Sequence, residues 1–390
     1  MTPAARTQAA IELLDAVIAA ARGGGAAADT LIARYFATRR YAGSKDRRAV
    51  RELVYAAIRR AGEVPASGRA ALLAVAADDA AIAATFDGST HGPAPIATGE
   101  GAAPGGVMPA WLADALAASG IGAEQQAALI GRAPLDVRVN RLLADPATLA
   151  ERLGGTPIPG LPDALRLPAG TNIDALAGQA EVQDAGSQIV SLAALAQPGQ
   201  RIVDLCAGGG GKTLALAAAM RNEGQILAAD IDRGRLSRLA PRAARAGVTI
   251  VETRLLDPRR EAEALADWQD AADCVLIDAP CSGTGTWRRN PEARWRLTPD
   301  RLAGFAAQQR HVLAVGAALV RPSGALVYIT CSLLDAEGMD QVDAFLADHP
   351  GWTAAPLDLP AGTPRGKGYR LDPASDDTDG FFVARLTRPC

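Results

Sequence analysis

Arg201-Ile-Val-Asp-Leu-Cys-Ala-Gly-Gly-Gly-Gly-Lys-Thr213 decides the fold. A short apolar run with β-branched residues leads into four consecutive glycines, and the stretch that follows to Met220 is rich in Ala and Leu without a breaker. That is how a strand buried on both faces looks, followed by a tight turn into a helix. The unit recurs downstream as Gln225-Ile-Leu-Ala-Ala-Asp230, a helical segment to Ala246, Thr249-Ile-Val-Glu252, another helical segment, and Cys274-Val-Leu-Ile-Asp278. Such alternation predicts an α/β fold over residues 181–390, with a mostly parallel, doubly wound sheet.

Glycines between a strand and a helix let a ligand approach the backbone, and the helix N-terminus offers unpaired amides. A phosphate-binding loop needs a glycine with four residues between it and Gly-Lys-Thr, but that position, 206, is Cys, so the template fails at its first residue. A dinucleotide fingerprint is met only by sliding along the glycine run. The acids separate the options. Asp230 ends the second strand, where a carboxylate accepts from a ribose diol. Asp257 follows the third strand and is either an acceptor for an adenine amino group or, preceding Pro258, a turn residue. With Asp204 beneath the turn, the set suits an adenosine ligand without phosphates and a cationic sulfonium better than a pyrophosphate.

Two cysteines sit just beyond expected strand ends, in Val275-Leu-Ile-Asp-Ala-Pro-Cys-Ser282 and Ala325-Leu-Val-Tyr-Ile-Thr-Cys-Ser332. Side chains just past the carboxyl ends of strands line the ligand crevice of an open α/β sheet, so Cys281 and Cys331 are expected to face one substrate. Cys274 and Cys390 read as small hydrophobes without a role. Five cysteines with no close pairing give no zinc-ligand spacing and no disulfide framework.

The 390 residues, 49% hydrophobic and 21% charged, are enough for two or three domains with a substantial core. Glu12 and Asp15 interrupt the alanine-rich start, which is therefore neither a signal peptide nor a spanning helix, and a cytoplasmic location is expected. A net charge of −3 argues against a chain that holds nucleic acid by overall positive charge. Locally, residues 1–60 carry eleven Lys and Arg against five Asp and Glu. A second cluster, Arg288-Arg289 with Arg294, Arg296 and Arg301, interleaves Trp287 and Trp295. Each is either a solvated face or a surface for phosphates and stacked bases.

Ile11, Leu14, Val17 and Ile18, and again Val50, Leu53, Val54, Ala57 and Ile58, recur at helical spacing, so residues 1–130 are expected to be all-α. Within them 87–106 lacks periodicity and reads as a flexible linker or long loop. Residues 131–180 alternate short apolar runs with Pro and Gly turns and suggest a small α+β connector.

Val182-Gln-Asp-Ala-Gly-Ser-Gln188, Asp204-Leu-Cys-Ala-Gly-Gly-Gly-Gly-Lys-Thr213, Asp278-Ala-Pro-Cys-Ser-Gly-Thr-Gly285, Arg288-Arg-Asn-Pro291, Thr330-Cys-Ser332 and Asp379-Gly-Phe-Phe382 follow one another in a telling order. In order and spacing they resemble the RsmB/Nop/Sun family of RNA cytosine-C5 methyltransferases. The resemblance covers residues 135–390. Gly43-Ser-Lys-Asp-Arg-Arg48 with Leu53-Val-Tyr-Ala-Ala-Ile-Arg59 looks like the NusB-type helical domain of the bacterial RsmB branch. Two departures stand out: Gly208-Gly209 replace the family's Ala-Pro, and 87–106 stands in the place of helical sequence.

The resemblance implies a Rossmann-like class I methyltransferase domain behind the connector and a NusB-like RNA-binding domain. It implies S-adenosylmethionine as cofactor, held by Cys206, Ala207, Gly208, Gly209, Gly210, Gly211, Lys212, Asp230, Asp257 and Asp278. The implied substrate is RNA, small-subunit ribosomal RNA ahead of tRNA, with no metal, no membrane and a monomeric enzyme; a non-catalytic RNA-binding or assembly factor is the rival from another class. Cys331 would attack cytosine C6 as nucleophile, because C5 does not take a methyl group unaided. Cys281 would assist loss of the C5 proton, and Asp278 would favour the protonated N3. Lys212 would either orient Asp278 or lower a thiol pKa. The base must leave its stack to reach them.

Overall fold

The computed structural model describes residues 1–176 and 178–390, which divide into two compact units, Met1–Arg132 with Thr286–Thr298, and Ala133–Gly285 with Pro299–Cys390. Among the described residues no helix is long and apolar enough to cross a membrane.

The first unit is helical, built on α1 (Pro3–Gly23), α2 (Ala28–Ala37), α3 (Ser44–Arg60) and α4 (Gly68–Ala76). Helix α1 starts where the Thr2 side chain accepts from the Ala5 amide with Pro3 behind it, and stops at Gly24, whose φ is 74°. The apolar stripes meet as their spacing requires: Leu14, Val17, Val50, Val54, Ala57, Ile58 and Leu72 are fully buried together. Each large aliphatic so buried contributes about 1.5–3 kcal/mol. Residues 87–106 form a long irregular loop, but one stitched down. Arg69 of α4 donates to Ala94 O, Pro95 O and the Glu100 carboxylate, and the Ala103 amide donates to Ala70 O.

Segment 286–298 corrects an expectation. Its Trp and Arg residues do not form an open surface for phosphates and bases: Trp287, Arg288, Arg294 and Trp295 are buried. They complete the helical unit instead. Arg294 donates to Ile58 O at 2.6 Å and Ala61 O at 2.8 Å, where α3 runs out of amide partners, and Trp295 Nε1 donates to Ala61 O at 3.2 Å. Glu292 Oε1 accepts from the first amide of α2, Ala28 N, at 2.9 Å. Arg296 donates to the Gly25 and Ala26 carbonyls in the loop between α1 and α2.

The second unit contains two sheets. Strands β1 (Leu135–Val139), β2 (Thr156–Ile158), β3 (Leu161–Leu167) and β4 (Ala180–Val182) make an antiparallel sheet in the order β2-β3-β1-β4. Val137 and Val139 enter a small core with Leu149 and Leu165, while Asp136, Arg138 and Asn140 are buried on the opposite face. Those polar groups are all engaged: Asp136 with Arg166, Arg138 with Gln183, and Asn140 with Ala246 O, so the connector is fastened to the end of the helix Leu239–Arg245 that precedes β7.

That larger sheet contains β5 (Arg201–Leu205), β6 (Gln225–Asp230), β7 (Val251–Leu255), β8 (Ala272–Asp278), β9 (Val320–Thr330), β10 (Thr353–Ala355), β11 (Thr363–Arg365), β12 (Gly368–Leu371) and β13 (Phe381–Thr387). The order is β11-β12-β13-β9-β8-β5-β6-β7, with β10 also on β13. From β9 to β7 every pairing is parallel, as the alternation predicts, and the remaining strands extend the sheet antiparallel from β9. The chain runs outward from β5 to β6 and β7, then returns to β8 on the other side. The order therefore reverses between β5 and β8, which is where an open α/β sheet binds its ligand.

Candidate functional site

The glycine-rich turn leaves β5 at a strained residue. Cys206 has φ 74°, and Gly208 and Gly210 follow at 56° and 83°. Left-handed backbone at a non-glycine costs on the order of 1–3 kcal/mol and persists where surroundings enforce it. Here the Cys206 and Ala207 amides both donate to Ala229 O of β6. At Gly210 a Cβ would lie 2.1 Å from Leu239, so only glycine fits. The second-strand acid closes the turn from beside it: Asp230 Oδ2 accepts from Gly208 N at 2.7 Å and Oδ1 from Asp232 N at 2.7 Å. Each oxygen keeps a further lone pair, which fits the pair of hydroxyls of a ribose diol.

Behind the turn lies a chain of buried ionisable groups. Asp204 is fully buried; its Oδ2 accepts from Thr213 Oγ1 at 2.6 Å, while Oδ1 has no partner among the described residues. Burial pushes this carboxyl up to about 7 despite the Thr213 bond. Lys212 Nζ donates to Asp278 Oδ2 at 2.8 Å. Burial alone would push Lys212 down, but Asp278 beside it holds the ammonium above its ordinary value. Cys206 is pushed up by burial and by the acids around it.

The two strand-end cysteines meet: Cys281 Sγ and Cys331 Sγ are 3.3 Å apart. Their shared hydrogen bond, then burial, then the charges of Cys331 and Glu337 hold the Cys281 thiol well above its usual range. Beneath them, Gly285 N donates to Cys331 O at 2.9 Å and the Ser282 and Ser332 hydroxyls are 3.2 Å apart, so the two turns are tied to one another.

A cavity of about 780 Å³ opens over these residues and is lined by Cys206, Asp230, Asp278, Cys281 and Cys331. Its volume suits a nucleoside-sized cofactor with room for a base. Lys212 stands behind Asp278, and Ala207 to Gly211 shape the turn, where the Arg235 guanidinium covers Gly208. Asp257 is brought no closer: its side chain is exposed, and Leu256 and Pro258 on either side line the cavity instead.

One wall went unread in the sequence. Phe305, Gln308, His311, Val312 and Val315 come from the helix Pro299–Leu319, and Glu261 meets His311 Nε2 at 3.1 Å. Burial opposes a charged Glu261, but its backbone contacts and His311 hold it below the usual carboxylate range. The available signal was the three- and four-residue spacing of these side chains, which any buried helix face shares.

Comparison with known proteins gives the site its context. The family model described as 16S rRNA methyltransferase RsmB/F matches residues 192–387. The ribosomal RNA small subunit methyltransferase B of Salmonella typhi is 36% identical over 271 residues, 66% of this chain and 60% of that protein. The chain thus spans about 60% of the length of this curated relative. The solved structure of PH0851 is 25% identical with a TM-score of 0.77, covering 99% of both chains. A methyltransferase homolog protein from Pyrococcus horikoshii is 26% identical with a TM-score of 0.60, covering 72% of this chain and all of that one.

Proposed function

The chain belongs to the RsmB/F family of 16S rRNA methyltransferases, and from that premise we propose that it methylates C5 of a cytosine in small-subunit ribosomal RNA. The observation that carries this reading is the pair of thiols 3.3 Å apart in one cavity with Asp278. S-adenosylmethionine, when bound, supplies the methyl group. Asp230 binds its ribose through the lone pairs left on both oxygens, and Cys206 and the glycine turn let it lie close to the backbone.

Cys331 Sγ adds to C6 of a flipped-out cytosine and moves electron density onto C5. Asp278 has one carboxylate oxygen beyond the one Lys212 holds; it hydrogen-bonds the N3 edge and stabilises the protonated base. Cys281 then assists removal of the C5 proton. The surroundings that lift its thiol make its thiolate the stronger base. Breaking of the C6–S bond returns Cys331. Exposed Arg40, Lys45 and Arg48 give the helical unit a basic face for the RNA backbone.

The test is incubation of the full chain with unmodified small-subunit ribosomal RNA and methyl-labelled S-adenosylmethionine, followed by digestion to nucleosides. Label is expected in 5-methylcytidine and should fall at least about 10³-fold with Cys331→Ala. Cys281→Ala should instead leave enzyme bound to RNA in a denaturing gel. An adduct with Cys331→Ala and none with Cys281→Ala reverses the two roles. Label on tRNA alone overturns the substrate, and no label on any RNA favours a non-catalytic binding protein.

A further inference from the structure

Glu337 has no place in the chemistry above, yet it is fully buried, and burying a carboxylate costs several kcal/mol unless its surroundings compensate. Among the described residues its side-chain oxygens meet four donors, all neutral: Ser282 N at 2.9 Å, Ser282 Oγ, Ser332 Oγ at 2.6 Å and Gln309 Nε2 at 3.1 Å. The choice of partners is what matters. Ser282 follows Cys281 and Ser332 follows Cys331 in the chain. Gln309 also donates to Pro280 O at 3.0 Å, immediately before Cys281. Tyr328 OH donates to the Glu337 backbone carbonyl at 2.8 Å, so the backbone that carries the carboxylate is itself held.

We propose that Glu337 is the positioning residue for both thiols, a single carboxylate that ties the Cys281 and Cys331 turns into one register and places a negative charge on the Cys281 side. The inference rests on the methyltransferase reading for the meaning of that register. Charge then separates two thiols that the chain presents in similar turns. Glu337 acts on Cys281 and opposes its ionisation, and it meets the Cys281 side through two Ser282 atoms and the Cys331 side through one hydroxyl. The nucleophile is thereby told apart from the thiol that handles a proton.

The full-length Glu337→Gln variant tests this, because it keeps the volume, removes the charge and replaces one acceptor by a donor. The first readout is the pH profile of iodoacetamide alkylation at each cysteine, followed by peptide mass spectrometry without RNA or cofactor. The Cys281 midpoint is expected to fall by about one pH unit and the Cys331 midpoint to move much less. Transfer is expected to drop about 10- to 100-fold in kcat with KM for RNA and cofactor within about twofold. Glu337→Asp, which keeps the charge, should restore the alkylation profile. A Cys281 profile identical to wild type overturns the proposal, as do equal shifts at both cysteines with a lowered melting temperature. Should the Gln variant fail to fold, Ser332→Ala cuts one link and keeps the charge. It should lower kcat about tenfold with both midpoints in place, and an unchanged kcat overturns the positioning role. Alkylation requires no methyl transfer, so loss of the methyltransferase reading would leave the charge result standing.

Discussion

Segment 286–298 and the carboxyl end of the sheet both bury charge, and they use it in opposite ways. In the segment Arg294 takes the last carbonyls of α3 and Glu292 takes the first amide of α2, although Arg294 Nε and Glu292 Oε2 meet no partner among the described residues. At the sheet end one Asp204 oxygen likewise has no partner among the described residues, but Cys206 also sits in left-handed backbone, and Lys212 and Asp278 are paired beside two thiols. Buried charge that satisfies the backbone stabilises a fold. Strained backbone and ionisable groups buried against one another cost stability, and such sites persist where chemistry needs them.

Asp204 gives the comparison its sharpest test. Its carboxyl is raised from 3.8 to about 7 in the folded chain, so between those pH values the folded state holds a proton that the unfolded state has lost. Stability must therefore fall as pH rises through this window, by up to ~4 kcal/mol, and stay low above it. Asp204→Asn should flatten urea midpoints measured from pH 4.5 to 8 and raise stability at the upper end. A variant with the wild-type slope would show that Asp204 is not strained as described.

The opposite sign is expected in the segment. Arg294→Met keeps much of the volume but leaves Ile58 O without its donor and Ala61 O with only Trp295. Stability should drop by about 3 kcal/mol, with faster amide exchange along α3. A neutral or stabilising result would make this buried arginine a replaceable one and erase the contrast.

What the sequence revealed divides along a similar line. Strand alternation and the two Cys-Ser turns carry period and position, and both were legible: the parallel run β9-β8-β5-β6-β7 and the contact between Cys281 and Cys331 follow from them. The segment did not disclose itself, because Arg and Trp interleaved look alike whether they face RNA or cap a helix 233 to 236 residues away in sequence, as Arg294 does for Ile58 and Ala61. Glu337 was equally silent. Its partners Ser282 and Gln309 come from other elements, and only Ser332 is near in sequence.

The smallest expected effect concerns two acids at comparable places in the sequence pattern, one ending and one following a strand of the doubly wound sheet. Asp230 is 5% exposed, bonds two turn amides and lines the cavity, whereas the Asp257 side chain is exposed between two cavity-lining neighbours. Asp230→Ala removes charged acceptors from a buried site and should weaken S-adenosylmethionine binding about 10- to 100-fold by calorimetry. Asp257→Ala removes a solvated carboxylate whose interactions with water already match what a ligand would offer, so its dissociation constant should stay within about twofold of wild type. A tenfold loss at Asp257 would mean that the loop carrying Leu256 and Pro258 closes over the ligand and turns the third-strand acid inward, restoring the equivalence that the pattern of the two strands suggests.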